Sequence, residues 1–163
     1  MSTVDKNQAM IDFLQSCPTI QNNPLFFNFG NVENNANQIN TQATDTSLHK
    51  TFIDGSEAKR YTFNIDSCKS LTPNQVVDGL SAENVDELRE VQELIDWINA
   101  EGKALNYPDF GNLCDVDSMK CLTEEPMLLG VDKEQNPPIA IYRVSVQIDY
   151  TDRTDVLWNN TGG

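Results

Sequence analysis

Apolar residues recur along this chain with two different periods. In "IAIYRVSVQIDY", Ala140, Tyr142, Val144, Val146, Ile148 and Tyr150 fall on one side, with Arg143, Ser145, Gln147 and Asp149 on the other. That is the period of a strand with one packed and one wetted face, as antiparallel sheets commonly have. "YTFNID" repeats it, with Tyr61, Phe63 and Ile65 opposite Thr62, Asn64 and Asp66, and Asp54-Gly55 predicts a hairpin turn ahead of it. Between these segments "ENVDELREVQELIDWINAEG" changes period. Val85, Leu88, Val91, Leu94, Ile95 and Ile98 make one helical stripe, Asn84 and Glu87 are spaced as a capping box, and Gly102 stands where a C-terminal cap would. A first helix is marked by Met10, Phe13, Leu14 and Cys17, with Thr3 placed to cap it and Pro18 to stop it.

The rest is less regular. "PLFFNFG" predicts a short strand with Leu25, Phe27 and Phe29 on one face, and "VDSMKCL" another strand. Residues 31–45 carry Val32 and Ile39 but otherwise almost no large apolar side chain. They predict a polar extended arm, a solvated strand or disorder rather than a core element. Residues 124–136, "EEPMLLGVDKEQN", predict a loop between two strands, and 151–163 form a C-terminal tail. The order of helix, strands, long helix and strands predicts an α+β fold, an antiparallel sheet packed against two main helices. At 163 residues the chain fits a single domain spanning 1–163.

Composition narrows the function. A formal charge of −14 opposes unaided binding to nucleic acid or an anionic membrane, where attraction between Lys or Arg and phosphate leads. No segment approaches the ~20 apolar residues of a membrane span. The first residues lack the basic start and apolar block of a secretion signal. Cys17, Cys68, Cys114 and Cys121 are widely spaced with no C-x-x-C pair, so they read as reduced, mostly buried thiols of a cytosolic setting.

Candidate chemistry is sparse. "HKTFIDG" resembles the acyltransferase signature of chloramphenicol acetyltransferases, in which three residues separate a general-base His from Asp-Gly. Here four separate His49 from Asp54, and a one-residue slip on a strand points a side chain to the opposite face. Glu124-Glu125 and Asp115/Asp117 lack the spacing of a calcium loop. No nucleophile elbow, phosphate loop or metal-ligand spacing occurs, so no catalytic residue, metal or cofactor is expected, and the pattern points to a structural or assembly protein rather than an enzyme.

The segments "ELREVQELIDWINAEGKAL", "NYPDFG", "VDSMKCL", "EEPMLLGVDKEQ" and "IAIYRVSVQIDY" resemble, in that order, the small tail terminator proteins of long-tailed bacteriophages, often labelled minor capsid or minor tail proteins. Pro126, Leu128, Gly130, Val131 and Asp132 stand in the P-x-L-x-G-V-D pattern of that family, and the resemblance spans residues 85–150. It implies a homohexameric ring in the virion that caps the tail tube at its head-proximal end, stops its growth and offers a docking face. Its partners would be further copies of itself, the tail tube protein, and neck or head–tail connector proteins, with DNA passing through unbound. Another neck or tail component, a head–tail connector or a tube subunit, is the neighbouring alternative. The expected contacts are Pro126, Met127, Leu128 and Leu129 beside the acidic turn and Val156, Leu157 and Trp158 in the tail. The alternatives are that Met127 and Leu128 tuck under the sheet and that Trp158 folds onto its own subunit.

Overall fold

The computed structural model describes residues 5–21, 23–27, 32–41, 50–71, 82–135, 137–154 and 156. Its elements are α1 (Lys6–Leu14), β1 (Leu25–Phe27), β2 (Asn37–Thr41), β3 (Lys50–Thr51), β4 (Glu57–Ser70), α2 (Ala82–Lys103), β5 (Cys114–Cys121), β6 (Met127–Asp132) and β7 (Ile139–Asp152). They form an α+β fold with a seven-stranded mixed sheet in the order β1-β2-β4-β7-β5, β3 adding to β4 and β6 to β7. The pairings are antiparallel except β1 with β2, which is parallel.

The long strands β4 and β7 pair from Glu57↔Asp152 to Ser70↔Ile139 without a break. Opposed residues share a face, so Phe63 with Val146 and Ile65 with Val144 project to the side that carries the helices. There they bury against Met10 and Leu14 of α1 and Val91, Leu94, Ile95 and Ile98 of α2. Each side chain so buried contributes about 1.5–3 kcal/mol. The rings of Phe13 and Trp97, 5.0 Å apart, join the two helices.

The opposite face is mostly polar and holds the register. Arg143 forks onto Asp66 (2.8 and 3.0 Å), Asn40 donates to the same carboxylate (2.7 Å), and Gln38 donates to Asn40 (2.6 Å). Arg60 grips Asp149 in the same way, and Ser145 donates to Asn64. One end of this face departs from the wetted expectation: Ala36, Cys68 and Ile139 bury there with Phe26, Val32 and Ile141 against them.

Several local expectations are corrected. Of the alternatives for 31–45 the strand holds for 37–41, but as an interior strand between β1 and β4 rather than a solvated one, with Ile39 fully buried. Residues 42–45 lie outside the described residues, as do Thr3 and Phe29. The cap of α1 is Asp5, whose carboxylate accepts from the amides of Asn7 and Gln8. Helix α2 starts at Ala82, which puts Asn84 and Glu87 inside it rather than at a cap.

Gly102 does not cap α2 either. Leu105 takes the left-handed conformation (φ 61°), and the amide of Asn106 donates to the carbonyl of Glu101 across it. Gly102 instead lets the helix touch β5, since a Cβ on it would sit 2.3 Å from the carbonyl oxygen of Met119. Helix propensity alone makes Gly102→Ala stabilising by about 1 kcal/mol. The clash reverses that sign, and urea unfolding of Gly102→Ala is expected to show a loss on the order of 2 kcal/mol. Leu105→Gly, relieving a left-handed leucine, is expected to gain up to about 1 kcal/mol. A stabilised Gly102→Ala would show that α2 does not approach β5 this closely.

Candidate interface

The segment expected to be a loop, 124–136, contains a strand. Pro126 has no amide to give a ladder, so pairing starts after it, and β6 runs antiparallel to the first residues of β7 as a hairpin. The register shifts between Leu128 and Gly130, leaving Leu129 as a bulge that breaks the alternation. The result is an edge strand whose apolar residues lie open. Met127 is 46%, Leu128 55%, Leu129 47% and Val131 37% exposed. Met127 and Leu128 therefore do not tuck under the sheet, and Pro126 beside them is half-buried.

β5 lies on the same side of β7 and is treated differently. The Asn99 side chain of α2 accepts from the Cys121 amide (2.9 Å), Tyr107 donates to the Asp117 carbonyl (3.2 Å), and Gly102 rests on the Met119 carbonyl. The helix thus guards β5. Its last tether toward β6 is Gln92, which donates to the Glu124 carbonyl at 3.2 Å. From Met127 onward no hydrogen bond from a helix reaches the edge among the described residues. Acids surround it: Glu124, Glu125 and Glu134 are exposed, and Asp132 turns back to accept from the Glu134 amide.

The other expected contacts divide. Val156 is only 4% exposed, covered by its own chain with its amide donating to Arg153, and so it drops out of the interface. Leu157 and Trp158 lie outside the described residues.

A second exposed apolar group went unnoticed in the sequence. The β3–β4 hairpin turns through Phe52, Ile53, Asp54 and Gly55. The Asp54 carboxylate accepts from both the amide and the hydroxyl of Ser56 (2.9 and 2.6 Å), Gly55 takes φ 93°, and the Phe52 amide donates to the Ser56 carbonyl. The Ser56 hydroxyl and amide hold the Asp54 carboxyl below its ordinary range. At the tip of this well-fixed turn Ile53 is 100% exposed and Phe52 39%, with the Lys50 ammonium 5.4 Å from the Phe52 ring centre. Turn tips favour Gly, Asn, Asp and Ser, so an apolar pair just ahead of Asp-Gly was the available signal.

Reaction chemistry finds little here. His49 lies outside the described residues. Burial pushes the Cys121 thiol up to about 12, with Asp96 adding to it, and burial also raises Cys68 and Cys114, which is the opposite of what a nucleophilic thiol requires. Among the described residues no group of three or more His, Cys, Asp or Glu could hold a metal ion, and no helix is long and apolar enough to cross a membrane. An open cleft of about 480 Å³ lies between α1 and the loop after α2, lined by Asp5, Asp12, Phe13, Tyr107 and Asp109. No family model matches the chain, and no curated protein matches it.

The hairpin end of the sheet is also its electrostatic clamp. Burial raises the Asp152 carboxyl, but hydrogen bonds from Thr154 and from Lys59 (2.9 Å) outweigh it and bring Asp152 down to about 2 from an ordinary 3.8. The unfolded chain takes up a proton here at a higher pH than the folded chain does. Its stabilisation is therefore complete above about pH 4 and lost as pH falls toward 2. Urea midpoints measured from pH 5 to pH 2 are expected to fall less steeply for Asp152→Asn than for the natural chain. Equal slopes would remove Asp152 from the acid limb.

Proposed function

We propose that this chain is a structural virion protein, the terminator of a phage tail tube. Copies of it form a hexameric ring that stops polymerisation of the tube and presents the face on which the neck docks. The observation that carries this reading is the unguarded apolar edge at Met127–Asp132, which coincides with the P-x-L-x-G-V-D pattern that resembles the tail terminator family. A strand edge left open and apolar is a hazard in a protein that stays alone, and a joining surface in one that assembles. A ring subunit joins its neighbours through two different patches, one on each flank. Its partners in this reading are copies of itself, the tube protein and the neck or connector proteins. An acid excess of this size suits a conduit through which DNA passes without being gripped.

The reading is tested by adding the purified chain to tubes polymerising from the tube protein encoded beside it. Capped tubes of fixed length, with a six-copy ring at one end by electron microscopy, are expected. Tubes that elongate unchanged would sink it. The tail is tested separately, and the burial of Val156 places the cut after that residue. Removal of 157–163 is expected to leave the melting temperature within a few degrees of the full chain but to abolish capping, because an aromatic anchor such as Trp158 typically contributes on the order of 2 kcal/mol or more to an interface. Normal capping by the shortened chain would exclude the tail from the contacts.

A further inference from the structure

The two exposed apolar groups lie at opposite ends of the same ribbon. β6 pairs with the start of β7, opposite Asp66 to Ser70 of β4, whereas the Phe52–Ile53 tip precedes Glu57 at the other end of β4. At about 3.3 Å per residue the strand between them spans roughly 30–40 Å, so the two groups of one chain cannot meet. Their charged neighbours differ in kind: the Asp54 carboxylate is turned in on its own Ser56, while Lys50 stands beside the tip. Lys50 stands beside Phe52 and is exposed with no carboxylate partner among the described residues. Glu124 and Glu125 precede β6 and are exposed with no cation on them among the described residues. One end is a small fixed projection whose outward charge is Lys50, its Asp54 being held by Ser56; the other is an open apolar strand preceded by two acids and followed by Lys133.

Resting on the ring reading above, we infer that the β3–β4 hairpin of one copy seats on β6 of the next. Ile53 and Phe52 cover Leu128, Leu129 and their neighbours, and Lys50 faces Glu124 and Glu125 of that next copy. The contact joins different patches and leaves a joined pair with one hairpin and one edge still free, so it propagates head to tail and ends only by closing. The projection is set before binding, since Asp54, Gly55 and Ser56 already fix the turn, and little ordering entropy is lost when it seats.

The test uses two variants of the full chain, Ile53→Asp and Leu128→Asp. Both sites are exposed, so circular dichroism and melting temperature should match the natural chain. Each variant alone loses one half of the contact and is expected to associate on the order of 30-fold more weakly by sedimentation velocity, the loss usual for an apolar anchor. Mixed one to one, the intact hairpin of Leu128→Asp meets the intact edge of Ile53→Asp, and the mixture stops at a two-chain species. Should either substitution disturb folding, Lys50→Glu and the double change Glu124→Lys/Glu125→Lys replace them, each weakening assembly alone and restoring it when combined in one chain. Variants that assemble like the natural chain, or a mixture that gives complete rings, would overturn this contact and leave the ring reading standing. A natural chain that remains single both in solution and after cross-linking on tube ends would overturn the ring reading itself, and this contact with it.

Discussion

The unbroken pairing of β4 with β7 is the constraint on which the other elements depend. Because side chains alternate with a period of two, this one register decides at once which residues enter the core and which meet the polar face. Shifting it by a single residue would turn one strand over against the other, sending either Phe63 and Ile65 or Val144 and Val146 toward water and carrying Asp66 or Arg143 toward the helices. The forked pairs Arg143–Asp66 and Arg60–Asp149 reward only the observed alignment, and they sit on the face where apolar packing contributes least. Packing and electrostatics thus select the same register from opposite sides of one ribbon. These pairs are largely withdrawn from water, so desolvation offsets much of their Coulombic gain and their work here is alignment.

With that ribbon fixed, the remaining question for any open sheet is its edges. On the β7 side the chain gives two answers within a few residues of each other. α2 lies against β5 because Gly102 has no side chain to hold it off, and Asn99 satisfies an outward amide there. The same helix does not extend along β6, where the bulge at Leu129 places apolar side chains in the open. The means of covering an edge are therefore present in the fold and are applied to one strand only.

What could be read from the sequence follows how local each cause is. The stripe of α2 and the alternation of β7 were legible because both come from burying one side of a regular element. β2 was legible only as one alternative among three and its interior place not at all, since a strand hydrogen-bonded on both sides needs few apolar side chains of its own, and Ile39 alone reaches the main core. Its pairing partners, Ser67 to Phe63, stand far along the chain and leave no trace in the local pattern. β6 was mistaken for a loop because its bulge destroys the period that identifies strands. Gly102 was taken for a cap because a glycine near a helix end usually is one, whereas close approach to β5 depends on a neighbour that sequence spacing does not show. Of the candidate contacts, Met127, Leu128 and Leu129 were legible as apolar residues out of place among acids. The Phe52–Ile53 tip was hidden by its position between two strands, where apolar residues are ordinary.

The acid excess and the exposed apolar groups act against each other, and their ranges differ. Repulsion between copies carrying −14 each reaches across a Debye length, about 8 Å at physiological ionic strength, and acts before surfaces touch. Apolar burial acts only at contact and grows with the area covered. A chain built this way resists chance encounters yet gains once its hairpin and edge strand are held opposite their complements. An existing tube end supplies that alignment in the proposed function. Most of the basic side chains with a carboxylate partner are spent inside the fold, Arg60, Arg143 and Lys59 on the ribbon itself and Lys69 on Glu90 of α2. Among the described residues Lys50 has no such partner, and in the proposed contact it meets the acids of the neighbouring copy.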